Sequence, residues 1–137
     1  MHALEQARRV LVPQGILIDL RPYCDEVPLE LVFNGGMESI AQLDSSSSKP
    51  DDLAADQAFE SAAQAGKLKE LKSEYFYFAF TWNSVEDMQV DWEEKWWSDV
   101  VLPKKVLRRA ARLVKKHPGS PRLRIRIRSR LVVYEKL

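Results

Sequence analysis

Residues 2–22, HALEQARRVLVPQGILIDLRP, are the stretch from which the fold can be argued. The apolar residues at its start recur at the spacing of one buried helical stripe: Leu4, Ala7, Val10 and Leu11. Pro13 cannot continue a helix and Gly15 has a permissive backbone, so the chain should turn there. The strand that follows, 16–20, is almost wholly apolar, and such strands are usually covered on both faces. We therefore expect a docked helix, a turn and a buried strand.

That helix, turn and strand resemble the segment leading into the fifth strand of class I S-adenosylmethionine-dependent methyltransferases, where L-x-x-A-x-R-V-L-x-P-x-G precedes an apolar strand. The matching residues are Leu4, Ala7, Arg9, Val10, Leu11, Pro13 and Gly15. Residues 75–88, YFYFAFTWNSVEDM, look like the family's sixth strand and following helix, and 122–134 look like its seventh strand. The resemblance implies an α/β fold, a partial Rossmann-like methyltransferase fold. Its mixed, mostly antiparallel sheet, with helices packed on it, would place 122–134 between 16–20 and 75–82.

The cofactor-binding elements of that family have no counterpart in this sequence. Doubly wound sheets bind such cofactors at a Gly-rich turn after the first strand, and no such motif is present. We therefore expect no catalytic and no cofactor-binding residue, with S-adenosylmethionine bound only if a missing N-terminal half is supplied. The resemblance implies a truncated or degenerate methyltransferase-like protein that is not catalytic on its own, and whether it is an enzyme stays open.

Four residues are candidates for a substrate pocket. In the family the region after the fifth strand helps to cover the substrate, and the resemblance places these residues nearest to it: Asp19, Arg21, Tyr23 and Trp82. A structural interpretation is also open for each, with Asp19 and Arg21 forming an ion pair and the two aromatic residues buried. The tryptophans further along indicate core packing or a lid over a pocket: Trp92, Trp96 and Trp97.

Length and composition indicate one soluble domain spanning residues 1–137. No apolar run is long enough to span a membrane, and the N-terminus lacks the pattern of a signal peptide, so we expect a cytoplasmic protein without membrane contact. The single cysteine, Cys24, cannot form an internal disulfide, and no Cys or His cluster has the spacing of a zinc site. We expect no metal site.

The middle of the chain predicts a hairpin, a loop and a helix. Residues 28–43 form two strand-like runs joined by an Asn-Gly-Gly turn. The polar stretch 44–51, DSSSSKPD, predicts a mobile surface loop. A helix capped by Asp51 or Asp52 should follow and end at Gly66.

The next elements are a strand and two helices. Residues 74–82 alternate with the period of a strand, and we expect the face made by Phe76, Phe78, Phe80 and Trp82 to be the core face. Ser84 should cap the following helix. Pro103 suits the start of the last helix, whose buried stripe is predicted to be Val106, Leu107, Ala110, Leu113 and Val114.

Charge is distributed unevenly along the chain. The first 102 residues carry 8 Lys and Arg against 19 Asp and Glu, whereas the last 35 carry 13 against 1. Five arginines alternate on one face of the last predicted strand: Arg122, Arg124, Arg126, Arg128 and Arg130. They could bind phosphate or nucleic acid. Alternatively they pair with acidic residues of the same chain, for which the candidates are Glu74, Glu86, Asp87, Asp91, Glu93, Glu94 and Asp99.

The strand 16–20 also predicts association. In the family it would pair with the fourth strand, and an unpaired apolar edge is a template for another chain. We therefore expect a homo-oligomer, or a partner that supplies the missing strands. Two functions other than a methyltransferase-like one follow: a non-catalytic protein-interaction module that uses this edge, and a phosphate or nucleic-acid binder through the arginine strand.

Overall fold

The computed structural model describes residues 3–95 and 99–137, so Trp96 and Trp97 lie outside the described residues. The protein is α/β, with a mostly antiparallel five-stranded sheet and helices, as predicted. The elements in chain order are α1 (Ala3–Val10), β1 (Ile16–Pro22), β2 (Glu26–Phe33), β3 (Gly36–Asp44), α2 (Lys49–Gln64), β4 (Leu68–Trp82), α3 (Val85–Lys95), α4 (Lys104–Lys116) and β5 (Arg122–Lys136).

The long strand β5 organises the sheet. It pairs antiparallel with β1 through residues 129–135 and with β2 through residues 122–125, and it also pairs with β4. β5 therefore pairs with both strands expected beside it, β1 and β4, and it pairs with β2 as well, which was not predicted. β2 and β3 form the predicted hairpin, which Phe33 and Gly36 close, and Gly35 supplies a φ of +92° in the turn.

The described residues form two compact units. The first unit contains residues 3–23, 49–76 and 128–137, and the second contains residues 24–48 and 77–127 without 96–98. The long strands β4 and β5 contribute residues to both units.

The first unit has a small core between α2 and the strands. Leu68, Val132 and Tyr134 are buried there, and Phe59 of α2 stacks on the ring of Tyr134 with centroids 4.7 Å apart. Leu4, Leu17 and Ala62 complete the contact. The alternation of β5 therefore turns Val132 and Tyr134 towards α2.

The turn between α1 and β1 lies at the predicted place but for another reason, because Gln14 takes the positive φ of +64° and Gly15 is required by a close contact. A Cβ at Gly15 would come within 2.7 Å of the Val12 carbonyl oxygen, which no side chain tolerates. The start of α2 differs from the prediction, because the helix begins at Lys49 and its first turn contains Asp51 and Asp52. A 3₁₀ helix at Ser46–Ser48 precedes it, so much of the stretch predicted to be a loop is helical.

The second unit holds the larger core. α3 and α4 bury Met88, Trp92, Ala110 and Leu113, while β2 and β5 contribute alternate apolar residues: Val27, Leu29, Leu31, Leu123, Ile125 and Ile127. Ser84 caps α3 as predicted, because its Oγ accepts the Asp87 N–H at 3.0 Å. The predicted stripe of α4 also lies in or against this core.

Three predictions about burial are wrong. β1 is covered on one face only, since α2 packs over Leu17 and leaves the alternate side chains in solvent. The aromatic face of β4 is core only at its end, where Trp82 packs against Trp92 of α3 and Phe80 lies beside the core. Earlier on that strand Phe78 is 38% exposed. In α1, Val10 of the predicted buried stripe is also exposed.

Candidate functional site

The first unit gathers charged residues around Asp56, and we call this group the Asp56 cluster: Asp19, Arg21, Tyr23, Asp52, Asp56 and Arg130. Asp19 and Arg21 share a face of β1 because they are two residues apart, and Asp52 and Asp56 share a face of α2 because they are four apart. The Arg21 guanidinium contacts an Asp19 carboxylate oxygen at 2.8 Å and an Asp56 oxygen at 2.6 Å.

Asp56 holds together groups that would otherwise repel. Arg21 and Arg130 are directly opposite each other on β1 and β5, so their side chains share one face of the sheet. One Asp56 oxygen accepts from Arg21 and, at 3.1 Å, from Arg130. The other oxygen accepts the Tyr23 hydroxyl at 2.9 Å. The carboxylate therefore bridges two cations and a phenol.

The electrostatics of the Asp56 cluster fix its protonation states. Burial raises the pKa of Asp56, but hydrogen bonds from Arg21 and Tyr23 outweigh it and leave the pKa below its ordinary value. The hydrogen bond to Asp56 raises the pKa of Tyr23. At neutral pH the carboxylate is therefore ionised and the phenol protonated, with neither close to a proton-transfer equilibrium. This arrangement suits a structural role, in which the cluster joins β1, α2 and β5, better than acid–base catalysis.

The structure brings three of the four pocket candidates together and leaves the fourth elsewhere. Asp19, Arg21 and Tyr23 all belong to the Asp56 cluster. Trp82 belongs to the second unit, where it is only 8% exposed and donates its indole N–H to Asp91 at 3.1 Å. The strand-end ion pair between Asp19 and Arg21 is present, and Trp82 is buried.

In the second unit the arginines of β5 meet one buried carboxylate. Glu30 of β2 is 3% exposed, and its oxygens accept from Arg124 at 2.9 Å and from Arg126 at 2.6 Å. Burial raises the pKa of Glu30, but the hydrogen bonds from Arg126 and Arg124 bring it below its ordinary value. Glu30 was not among the acidic residues expected to pair with these arginines. The signal that could have found it is a lone acid in the apolar run LELVF.

The remaining arginines of β5 face solvent to different degrees. Arg128 is exposed and its guanidinium lies 4.0 Å from the ring centroid of Tyr75, which is a close cation–π contact. Arg122 is exposed, and no hydrogen bond or salt bridge links it to another described residue. Most of the predicted anion-binding face is therefore engaged by carboxylates or an aromatic ring of the same chain.

A bare apolar row on β1 is the feature that sequence reasoning missed. Ile16 is 49% exposed, Ile18 is 58% exposed and Leu20 is 57% exposed. Val133 and Leu131 of β5 lie directly opposite the last two and are only half-buried. Paired residues in an antiparallel ladder point to the same side, so the five side chains form one apolar surface in the first unit.

No protein-family model, curated protein or solved structure matches this chain. Across residues 3–95 and 99–137, no group of three or more His, Cys, Asp or Glu residues is arranged to hold a metal ion. No helix within that same part of the chain is long and apolar enough to cross a membrane.

Proposed function

We propose that the protein is a non-catalytic interaction module that associates with a second copy of itself through β1. The observation that carries this proposal is the bare apolar row of Ile16, Ile18 and Leu20, on a strand at the end of the sheet order. In the described part of the chain, β5 is the strand that pairs with β1, and no strand pairs with its other edge. Exposed apolar edge strands are templates for pairing with another chain.

The sequence of β1 is complementary to itself. In an antiparallel pair related by a two-fold axis at Ile18, that residue faces its own copy and Ile16 faces Leu20 of the second copy. Apolar side chains would then meet apolar side chains along the whole row. A closed two-fold pair occupies the free edge of β1 on both copies, so this edge cannot propagate a fibre.

The expected dimer is weak. Edge-to-edge pairing covers the flanks of six isoleucine and leucine side chains and leaves the face of the sheet open, so it gives at most about 5 kcal/mol of gross stabilisation. Association itself costs at least about 4 kcal/mol, so the main-chain hydrogen bonds of the new ladder must supply most of the net affinity. The dissociation constant of the dimer should therefore lie between about 10 μM and about 1 mM, nearer the weaker limit. Dimers should form at protein concentrations in this range.

Sedimentation velocity over that concentration range tests the proposal. The mass should rise above the 15.8 kDa of one chain, and Ile18→Lys should remove the rise by placing a charge at the centre of the row. Val90→Lys in α3 is the matched control, since Val90 is 59% exposed. A wild type that stays monomeric up to about 1 mM contradicts self-association and leaves a partner of another sequence as the occupant.

A degenerate methyltransferase-like origin is the second candidate. Its support is the pairing of β5 with both β1 and β4, which the family resemblance predicts. Titration calorimetry with S-adenosylmethionine tests it. Measurable heat of binding by this chain alone would contradict the proposal that the protein is degenerate and does not bind the cofactor. We also propose a cytoplasmic location, because no apolar run of the sequence is long enough to span a membrane.

The phosphate or nucleic-acid interpretation of the β5 arginines has less support. Arg124, Arg126 and Arg130 already contact carboxylates of their own unit. A ligand would have to displace Glu30 or Asp56 to use those guanidinium groups fully.

A further inference from the structure

A groove in the second unit runs between the edge strand β3 and the helix α4. Its volume is about 610 Å³, and the walls combine both elements with the segment before α4. Three cationic side chains of α4 line one wall: Lys105, Arg109 and Arg112. Val101, Pro103 and Val106 add apolar surface. The groove is therefore both cationic and partly apolar.

The cations of this groove are not held in direct salt bridges with the described carboxylates. None of the three forms a salt bridge with a described carboxylate, and the first turn of α4 contains no acidic residue. Arg109 donates a 3.3 Å hydrogen bond to the Ser39 carbonyl oxygen, and its charge also helps to lower the pKa of Glu38. Asp44 is the acidic residue among the lining residues, and its carboxylate already accepts the Ser46 N–H at 2.9 Å. Nearby Glu38 is held by His117 at 2.9 Å.

We propose that this groove binds an extended peptide segment that carries acidic side chains at alternate positions, with apolar residues between them. Helical rise places Lys105 about 6 Å from Arg109 along α4, and Arg109 about 4.5 Å from Arg112. Same-side residues of an extended peptide are about 6.8 Å apart, so two alternate carboxylates fit within the reach of these three cations. The apolar residues between them would contact Val106 and Pro103. Arginine clusters recognise acidic peptide motifs by this chemistry.

A peptide fits the groove better than a nucleic-acid strand. A phosphodiester backbone gains nothing from Val101, Pro103 and Val106, and no aromatic residue lines the groove on which a base could stack. Charge complementarity and the apolar lining thus favour the same ligand.

Fluorescence anisotropy with a labelled peptide of alternating Glu and Val, about seven residues long, tests this proposal with the intact protein. The peptide should bind, the affinity should fall with added salt, and the same peptide with Gln for Glu should bind at least about tenfold more weakly. Arg109→Gln combined with Arg112→Gln should weaken binding about tenfold. The matched control is Arg108→Gln with Lys115→Gln, which removes two exposed cations of α4 that do not line the groove.

Three results would overturn the proposal. The first is absence of binding by the acidic peptide. The second is tighter binding of an oligothymidylate that is lost in the Arg109 and Arg112 double variant, which would assign the groove to phosphate polyanions. The third is self-association that this double variant abolishes while Ile18→Lys does not, which would assign the groove to a second copy. Circular dichroism of all variants shows whether each is folded, and the substituted side chains are exposed, so folding should be unaffected.

Discussion

The carboxylate of Glu30 is a buried charge whose removal should measurably reduce the stability of the second unit. It is 3% exposed and accepts hydrogen bonds from both Arg124 and Arg126. Breaking a fully buried ion pair costs about 3–5 kcal/mol. The two arginine side chains are 28% and 40% exposed, so water can solvate part of the positive charge that loses its partner in Glu30→Gln. We therefore expect the free energy of unfolding to fall by about 2 kcal/mol.

The assay is urea unfolding followed by circular dichroism, with Glu26→Gln as the control on the same strand. Glu26 is exposed, and its substitution should change the free energy of unfolding by less than about 0.5 kcal/mol. For a chain of this length a loss of about 2 kcal/mol corresponds to a Tm lower by roughly 6–10 °C. A Glu30→Gln loss no larger than that of the control would refute the assignment of Glu30 as a buried ion-pair partner.

The same variant has a defined pH dependence. The folded-state pKa of Glu30 lies below its ordinary value of 4.5, so its stabilisation is present above that pH and is lost as pH falls through the folded-state pKa. The difference between wild type and Glu30→Gln should therefore narrow on acidification below about pH 4.5. A difference that widens in acid would contradict the direction of the pKa shift.

Three further predictions concern local features. Asp56→Asn should lower the pKa of Tyr23 towards its ordinary value, measured by ultraviolet titration with Tyr23→Phe to identify the signal; an unchanged pKa would exclude the hydrogen bond as the cause. Ser84→Ala should cost about 1 kcal/mol through loss of the α3 cap, whereas the exposed Ser73→Ala should cost almost nothing, and equal costs would argue against capping. Gly66→Ala should cost about 1 kcal/mol because its φ is +67°, and Gly66→Asn should cost less, so the reverse order in thermal unfolding would contradict the strain argument.

Features with a local cause could be predicted from the sequence. The position of the turn before β1 follows from a proline and a glycine close together in sequence, and the cap at Ser84 needs only the next three residues. Strict alternation along β5 places arginines on one face of the strand and aliphatic residues on the other, whatever packs against each face. These signals lie within a few residues, so most of the elements and the β2–β3 hairpin could be predicted from them, whereas the pairing of β5 with β1 and β4 was expected only from the family resemblance.

Features that depend on residues distant in sequence could not be predicted. Glu30 is 94 positions from Arg124, and Asp56 is 74 positions from Arg130, so no local pattern identifies these pairs. The exposure of Ile18 had a similar cause: an apolar strand predicts burial on both faces, but α2 covers only the face that carries Leu17. Coverage of a strand depends on how many helices are available, which its own sequence does not encode.

The most direct test of self-association through β1 is oxidative cross-linking of single cysteines after Cys24 has been replaced by Ser. A two-fold axis at Ile18 brings Ile18→Cys against its own copy, about 4.5–5.5 Å apart between Cα atoms, within the range for a disulfide. Ile16→Cys lies on the same exposed face but two residues from the axis, so it should cross-link poorly. A covalent dimer through position 18 and not through position 16 is the predicted result. Equal cross-linking at both positions, or none at position 18, would contradict the proposed pairing.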